Sequence, residues 1–150
     1  MSDIAAAPLL RIGEVAEHLG VSTRTLRYYE ELGLVHPSGR SPGGSRRYGE
    51  DDLERLRHIR DLQQVLGFNL DEIHEIVGAE DRLAELRTEY RKGVSARRQA
   101  TILREAMALN KRLQRQVADK IGVLEGFRAE LRAKARRYRE VAEERGITVR

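Results

Sequence analysis

Apolar residues at Ile12, Val15, Ala16 and Leu19 recur with a helical period and stop at Gly20, which can take the left-handed turn that closes a helix. Ser22 stands where an N-cap is needed, ahead of a second apolar set at Leu26, Tyr29 and Leu32. His36-Pro37-Ser38-Gly39-Arg40-Ser41-Pro42-Gly43-Gly44 is the densest group of turn formers in the chain. Its position between Leu34-Val35 and Arg46-Arg47-Tyr48 predicts a short two-stranded wing. Leu53, Leu56, Ile59, Leu62 and Leu66 mark a third helix from Glu50 to near Gly67. Asn69 and Glu72 have capping-box spacing for a fourth, which would bury Leu70, Ile73 and Ile76 or Val77. Two short helices across a glycine turn, followed by a glycine-rich arginine hairpin, predict a winged helix-turn-helix in a mainly α-helical chain.

Beyond residue 78 the pattern loosens. Leu83, Leu86 and Tyr90 predict a short helix, and Gly93-Val94-Ser95 a break. From residue 101 a heptad takes over. Leu103, Asn110, Val117, Leu124, Leu131 and Tyr138 recur every seven residues, each followed three residues later by Ala106, Leu113, Lys120, Phe127, Lys134 or Val141. A helix from 101 to 144 would be roughly 66 Å long, too long to stand alone with so few apolar residues. The same helix in a second chain is the most economical partner, so a dimerisation coiled coil is expected, with Leu103, Asn110, Leu113, Val117, Leu124, Phe127, Leu131 and Tyr138 on its seam. Asn110 would fix register by bonding across the pair, and the two seam lysines would loosen it. The expected division is a mobile leader over 1–10, a DNA-binding domain over 11–78, a linker helix region over 79–100, the coiled coil over 101–144 and a tail over 145–150.

The net charge of +4 conceals an uneven distribution. Residues 1–78 hold 9 Lys/Arg against 13 Asp/Glu, whereas residues 79–150 hold 19 against 11. The first half is therefore acidic overall, yet between residues 24 and 48 Arg24, Arg27, Arg40, Arg46 and Arg47 oppose only Glu30 and Glu31. Phosphate binding needs a basic face rather than a basic domain. The recognition helix would meet base edges with its first turn, Ser22, Thr23, Arg24 and Thr25. Arg27, Arg46 and Arg47 could hold phosphates or serve internal carboxylates such as Glu30 or Asp51. Adjacent helical residues point about 100° apart, so of Tyr28 and Tyr29 one should enter the core and the other reach DNA.

Leu26-Arg27-Tyr28-Tyr29-Glu30-Glu31-Leu32-Gly33-Leu34-Val35 resembles the signature of the MerR (mercury-resistance regulator) family, and Gly44-Ser45-Arg46-Arg47-Tyr48 with Asp52-Leu53 resembles its wing and third-helix start. The resemblance implies a homodimeric regulator that bends and untwists double-stranded promoter DNA where RNA polymerase also binds. The expected DNA contacts are Ser22, Thr23, Arg24, Thr25, Arg27, Tyr28 and Tyr29 on the recognition helix and Arg40, Arg46, Arg47 and Tyr48 in the wing. An architectural DNA-bending protein of little promoter specificity and a coiled-coil scaffold are the alternative readings.

Other chemistry finds little support. The chain has no cysteine, so thiolate chemistry and the cysteine ligands of soft-metal sensors are absent. His18, His36, His58 and His74 have no i, i+4 pairing. Ser and Thr fall in caps and turns, and no glycine loop follows a strand as a phosphate cradle would. Neither enzymatic activity nor a cofactor or metal site is expected. No apolar run approaches a membrane span or a signal peptide, so a cytoplasmic location without membrane contact is the expectation.

Overall fold

The computed structural model describes residues 8–150. Two compact units emerge, one ending at Glu85 and one comprising Leu86–Arg150.

The first unit runs β1 (Leu10–Arg11), α1 (Ile12–Leu19), α2 (Thr23–Glu31), β2 (Gly39–Arg40), β3 (Arg46–Tyr48), α3 (Glu50–Gln64) and the larger part of α4 (Leu70–Arg91). Gly20 adopts φ 66° and lets the Val21 amide bond back to the Ala16 carbonyl, so α1 closes tightly before Ser22 caps α2. Gly33 does the same after α2 with φ 72°. Val15, Leu19, Leu26, Tyr29, Leu34, Val35, Leu56, Ile59 and Ile73 form the core. Asn69 and Glu72 exchange the two hydrogen bonds of a capping box, each 2.8 Å.

The hairpin is part of a three-stranded antiparallel sheet of order β1-β3-β2. Leu10 pairs with Tyr48 and Arg11 with Arg47; Gly39 pairs with Arg47 and Arg40 with Arg46. The expected leader therefore ends before Leu10; residues 1–7 lie outside the described residues. A two-residue strand has no legible period, so only its partner β3 reveals it. A Cβ on Gly39 would come within 2.9 Å of Leu9 Cδ1, the end of an exposed side chain that can turn aside.

Two further expectations are corrected in this unit. Leu66, expected on the core face, is exposed, because α3 ends at Gln64 and the residue falls in the turn. No break occurs at residue 78. Gly78 lies inside α4, where glycine costs about 1 kcal/mol relative to alanine, and its neighbours Val77 and Ala79 are buried.

In the second unit, Ser95 caps α5 (Ala96–Glu144), accepting from the Arg98 amide at 3.2 Å. Arg98 also donates to both carboxylate oxygens of Glu89 at 2.6 and 2.8 Å. At 49 residues α5 is roughly 74 Å long. Ile102 is buried, and Ala106, Leu109, Leu113 and Lys120 are half-buried. The exposed large apolar residues of α5 are Leu103, Met107, Val117, Ile121, Val123, Leu124, Phe127, Leu131, Tyr138 and Val141. In the row three residues after the seam positions that begin at Leu103, Phe127 and Val141 are exposed and Ala106, Leu113 and Lys120 half-buried, while Met107 and Ile121, four residues after seam positions, are exposed as well. Spacings of three and four are both helical, so the seven-residue repeat alone did not choose between them. Asn110 Oδ1 accepts from Gln114 Nε2 of the same helix at 2.5 Å.

Candidate nucleic-acid interface

The surface expected to meet DNA is built from α2 and the β2–β3 hairpin. At the start of α2, Ser22 Oγ accepts from the Thr25 amide at 3.1 Å and lies 2.9 Å from Thr25 Oγ1. These two expected contacts are therefore engaged with each other, fixing where the helix begins. Thr23 is half-buried beside them. Arg24, Arg27, Tyr28 and Glu31 share the solvent side of α2, at the i, i+3, i+4, i+7 spacing of one helical face. With Thr25 they line a shallow depression. Neither Arg24 nor Arg27 is in an ion pair among the described residues.

The tyrosine pair resolves as one in, one out. Tyr28 is 47% exposed, whereas Tyr29 is 1% exposed and its hydroxyl donates to Gln63 Oε1 at 2.5 Å. Tyr29 is thus a core residue tying α2 to α3 rather than a DNA contact. Tyr48 is corrected likewise: it is completely buried, and its hydroxyl has no hydrogen-bond partner among the described residues. Burial raises the pKa of both phenols, and for Tyr48 the nearby Glu30 carboxylate adds to the rise.

Glu30, on the wing side of α2, receives Arg46 Nε and, at 3.4 Å, Arg40 Nη2. The internal-carboxylate reading therefore holds for Arg46, and Glu30 joins recognition helix to wing. Among the described residues the Arg47 side chain donates to the Arg46 carbonyl, at 3.1 Å, and is in no ion pair. Asp51 does not pair with these arginines; it is exposed at the start of α3.

Sequence reasoning missed the residues that hold this surface in place. Asp52 is a buried carboxylate that accepts from the Ser38 amide and hydroxyl at 3.0 and 2.5 Å and from the Gly49 amide at 2.9 Å. It anchors both ends of the hairpin to α3, and its place in the first helical turn was the available signal. Arg55 donates to the Leu34 carbonyl and to Asp81 at 2.6 and 3.0 Å, and Arg60 donates to the Leu19 carbonyl at 3.1 Å. Those partners lie 21 to 41 residues away, so no local pattern announces them. Among the described residues no group of His, Cys, Asp or Glu could hold a metal ion.

Residues 10–80 match the family described as MerR HTH family regulatory protein. The "Probable heavy metal-dependent transcriptional regulator" of Haemophilus influenzae is 38% identical over 106 residues, covering 71% of this chain and 81% of that protein. The chain belongs to the MerR family. Its head is that of a DNA-binding transcription regulator. Another relative, HTH-type transcriptional regulator YfmP of Bacillus subtilis, is 41% identical over 68 residues, 45% of this chain; the match spans 49% of that protein, about half its length. Among solved structures, HiNmlR, a MerR family regulator lacking the sensor domain, bound to promoter DNA, is similar with a TM-score of 0.55 at 26% identity, covering 93% of this chain and 96% of that one. These relatives are transcription regulators rather than enzymes. No helix among the described residues is long and apolar enough to cross a membrane.

Proposed function

We propose that the protein is a homodimeric, sequence-specific regulator that binds an inverted repeat and bends and untwists promoter DNA. It performs no catalysis and works in the cytoplasm, sharing its promoter with RNA polymerase. The observation that carries this reading is the solvent face of α2, where Arg24, Arg27 and Tyr28 stand clear of ion pairs among the described residues on a MerR head. Arg24, in the first turn, reads a base edge, while Arg27, Arg47 and the remaining donors of Arg40 and Arg46 hold phosphates. Support for a dimer comes from α5, whose exposed stripe carries Leu103, Val117, Leu124, Leu131 and Tyr138, with Phe127 on its flank. Such a stripe is stabilised by a second copy, with Asn110 among its polar positions.

Footprinting over the promoter of the protein's own gene, with bend phasing on the same fragment, tests this directly. A two-fold symmetric footprint and a phase-dependent bend are expected. Equal affinity for this fragment and random DNA would instead make the protein an architectural bender, and affinity for neither would make it a scaffold.

A further inference from the structure

Arginine faces arginine at two rungs of the small sheet. On one rung Arg40 lies opposite Arg46, and on the other Arg11 lies opposite Arg47. Like charges directly opposite one another on a sheet repel, so each rung calls for a negative charge beside it. The first rung has one within the chain, since Glu30 receives both of its arginines. The second has none: among the described residues no carboxylate oxygen comes within 4.0 Å of Arg11 or Arg47.

The pleat explains the difference. Tyr48 and Leu10 pair on the inner face, with Tyr48 completely buried, so the preceding rung of Arg47 and Arg11 projects from the outer face. Arg11 is exposed and Arg47 half-buried. Both line a cleft of about 520 Å³ with Ser45 and Arg46. Glu14 and Glu17 of α1 line the same cleft, and neither pairs with the two arginines.

We propose that the Arg11–Arg47 rung is a phosphate-binding site that grips the DNA backbone beside the wing. Guanidinium groups present paired donors that match phosphate oxygens, and an unneutralised pair is relieved by the anion it binds. β3 belongs to the wing itself, so a duplex held by the wing presents its backbone to the same strand. This inference rests on the DNA-binding reading above and adds Arg11, which lies outside both recognition helix and wing.

The test measures binding of the full chain to a random-sequence duplex across a potassium chloride series, with melting temperatures taken without DNA. Arg11→Ala and Arg47→Ala should each weaken binding and lower the salt slope by about 0.9 for each phosphate that is no longer neutralised. Arg11→Glu should weaken binding further while raising the melting temperature, because a carboxylate opposite Arg47 converts repulsion to attraction. A purely structural role for Arg11 would move affinity and melting temperature in the same direction and overturn the proposal. An unchanged salt slope in Arg11→Ala, with the unmodified chain binding normally, would overturn the site alone. Failure of the unmodified chain to bind any duplex would overturn the DNA reading and the site with it. Inorganic phosphate that stabilises the unmodified chain but not Arg11→Glu, while DNA binding survives in Arg11→Ala, would reassign the rung to a free anion and overturn its role on DNA.

Discussion

Leu26, Leu34, Leu56, Ile59 and Ile73 of the head are almost wholly removed from water, whereas Val117, Ile121, Leu124, Phe127 and Leu131 of α5 stay 48% to 58% exposed. Full burial of such a side chain contributes roughly 1.5 to 3 kcal/mol. The head collects that term from its own helices. Along the C-terminal half of α5 much of it remains uncollected within one chain, and a helix is marginal without tertiary packing. The comparison teaches that the two regions differ in kind: the head is held by the complementarity of its own side chains, whereas the long helix keeps an apolar surface that one chain leaves uncovered.

Introducing charge on the stripe should have the largest effect. Leu124→Glu combined with Leu131→Glu is expected to abolish the dimer and weaken binding to a two-half-site duplex by about 10²- to 10⁴-fold, as avidity disappears. A stable dimer of this variant in sedimentation would break the comparison at its base.

Truncating one buried and one exposed residue sharpens it. Leu56→Ala should cost about 2 to 5 kcal/mol in urea unfolding of the head. Phe127→Ala, measured where the chain is monomeric, should stay within about 0.5 kcal/mol. Equal destabilisation would mean that α5 is packed within its own chain.

Arg24→Ala comes next, with a cost of about 1 to 3 kcal/mol at one symmetric pair of operator positions. Binding to random DNA should change much less in a competition assay. Equal weakening on both would make Arg24 a phosphate contact.

The smallest effects distinguish the two buried tyrosines. Tyr29→Phe strips Gln63 of its donor and should cost about 1 kcal/mol, whereas Tyr48→Phe removes a hydroxyl that has no partner and should be neutral or slightly stabilising. Both phenols titrate higher in the folded head than their ordinary 10.0. Their contribution is therefore complete below pH 10 and disappears as pH rises through the folded values. Melting temperature should accordingly fall in that alkaline range, and less steeply in each Phe variant.

Much of the architecture was legible because it is written locally. The Ser22 and Asn69 caps, the Gly20 turn and the Leu53-Leu56-Ile59-Leu62 period each sit within a few residues of the structure they specify. The wing could be read from its turn formers, but β1 could not, because two residues carry no period. The candidate interface was half legible: Arg24, Arg27 and Tyr28 are exposed as a recognition face requires, while Tyr29 and Tyr48 had the same chemistry and the opposite environment.

By itself, then, the amino-acid order determined the first three helices, the caps at Ser22 and Asn69, the hairpin, the family and the heptad, all of which depend on spacing along the chain, but not the unbroken run of α4 through Gly78 or the start of α5 at Ala96. Tertiary structure alone decided which tyrosine is core, that Glu30 serves Arg40 and Arg46 but not Arg47, that Asp52 anchors the hairpin, and that Arg11 stands opposite Arg47. The physical reason is that burial and charge pairing depend on distance in space. Arg11 and Arg47 are 36 positions apart in the chain but occupy adjacent places on one sheet.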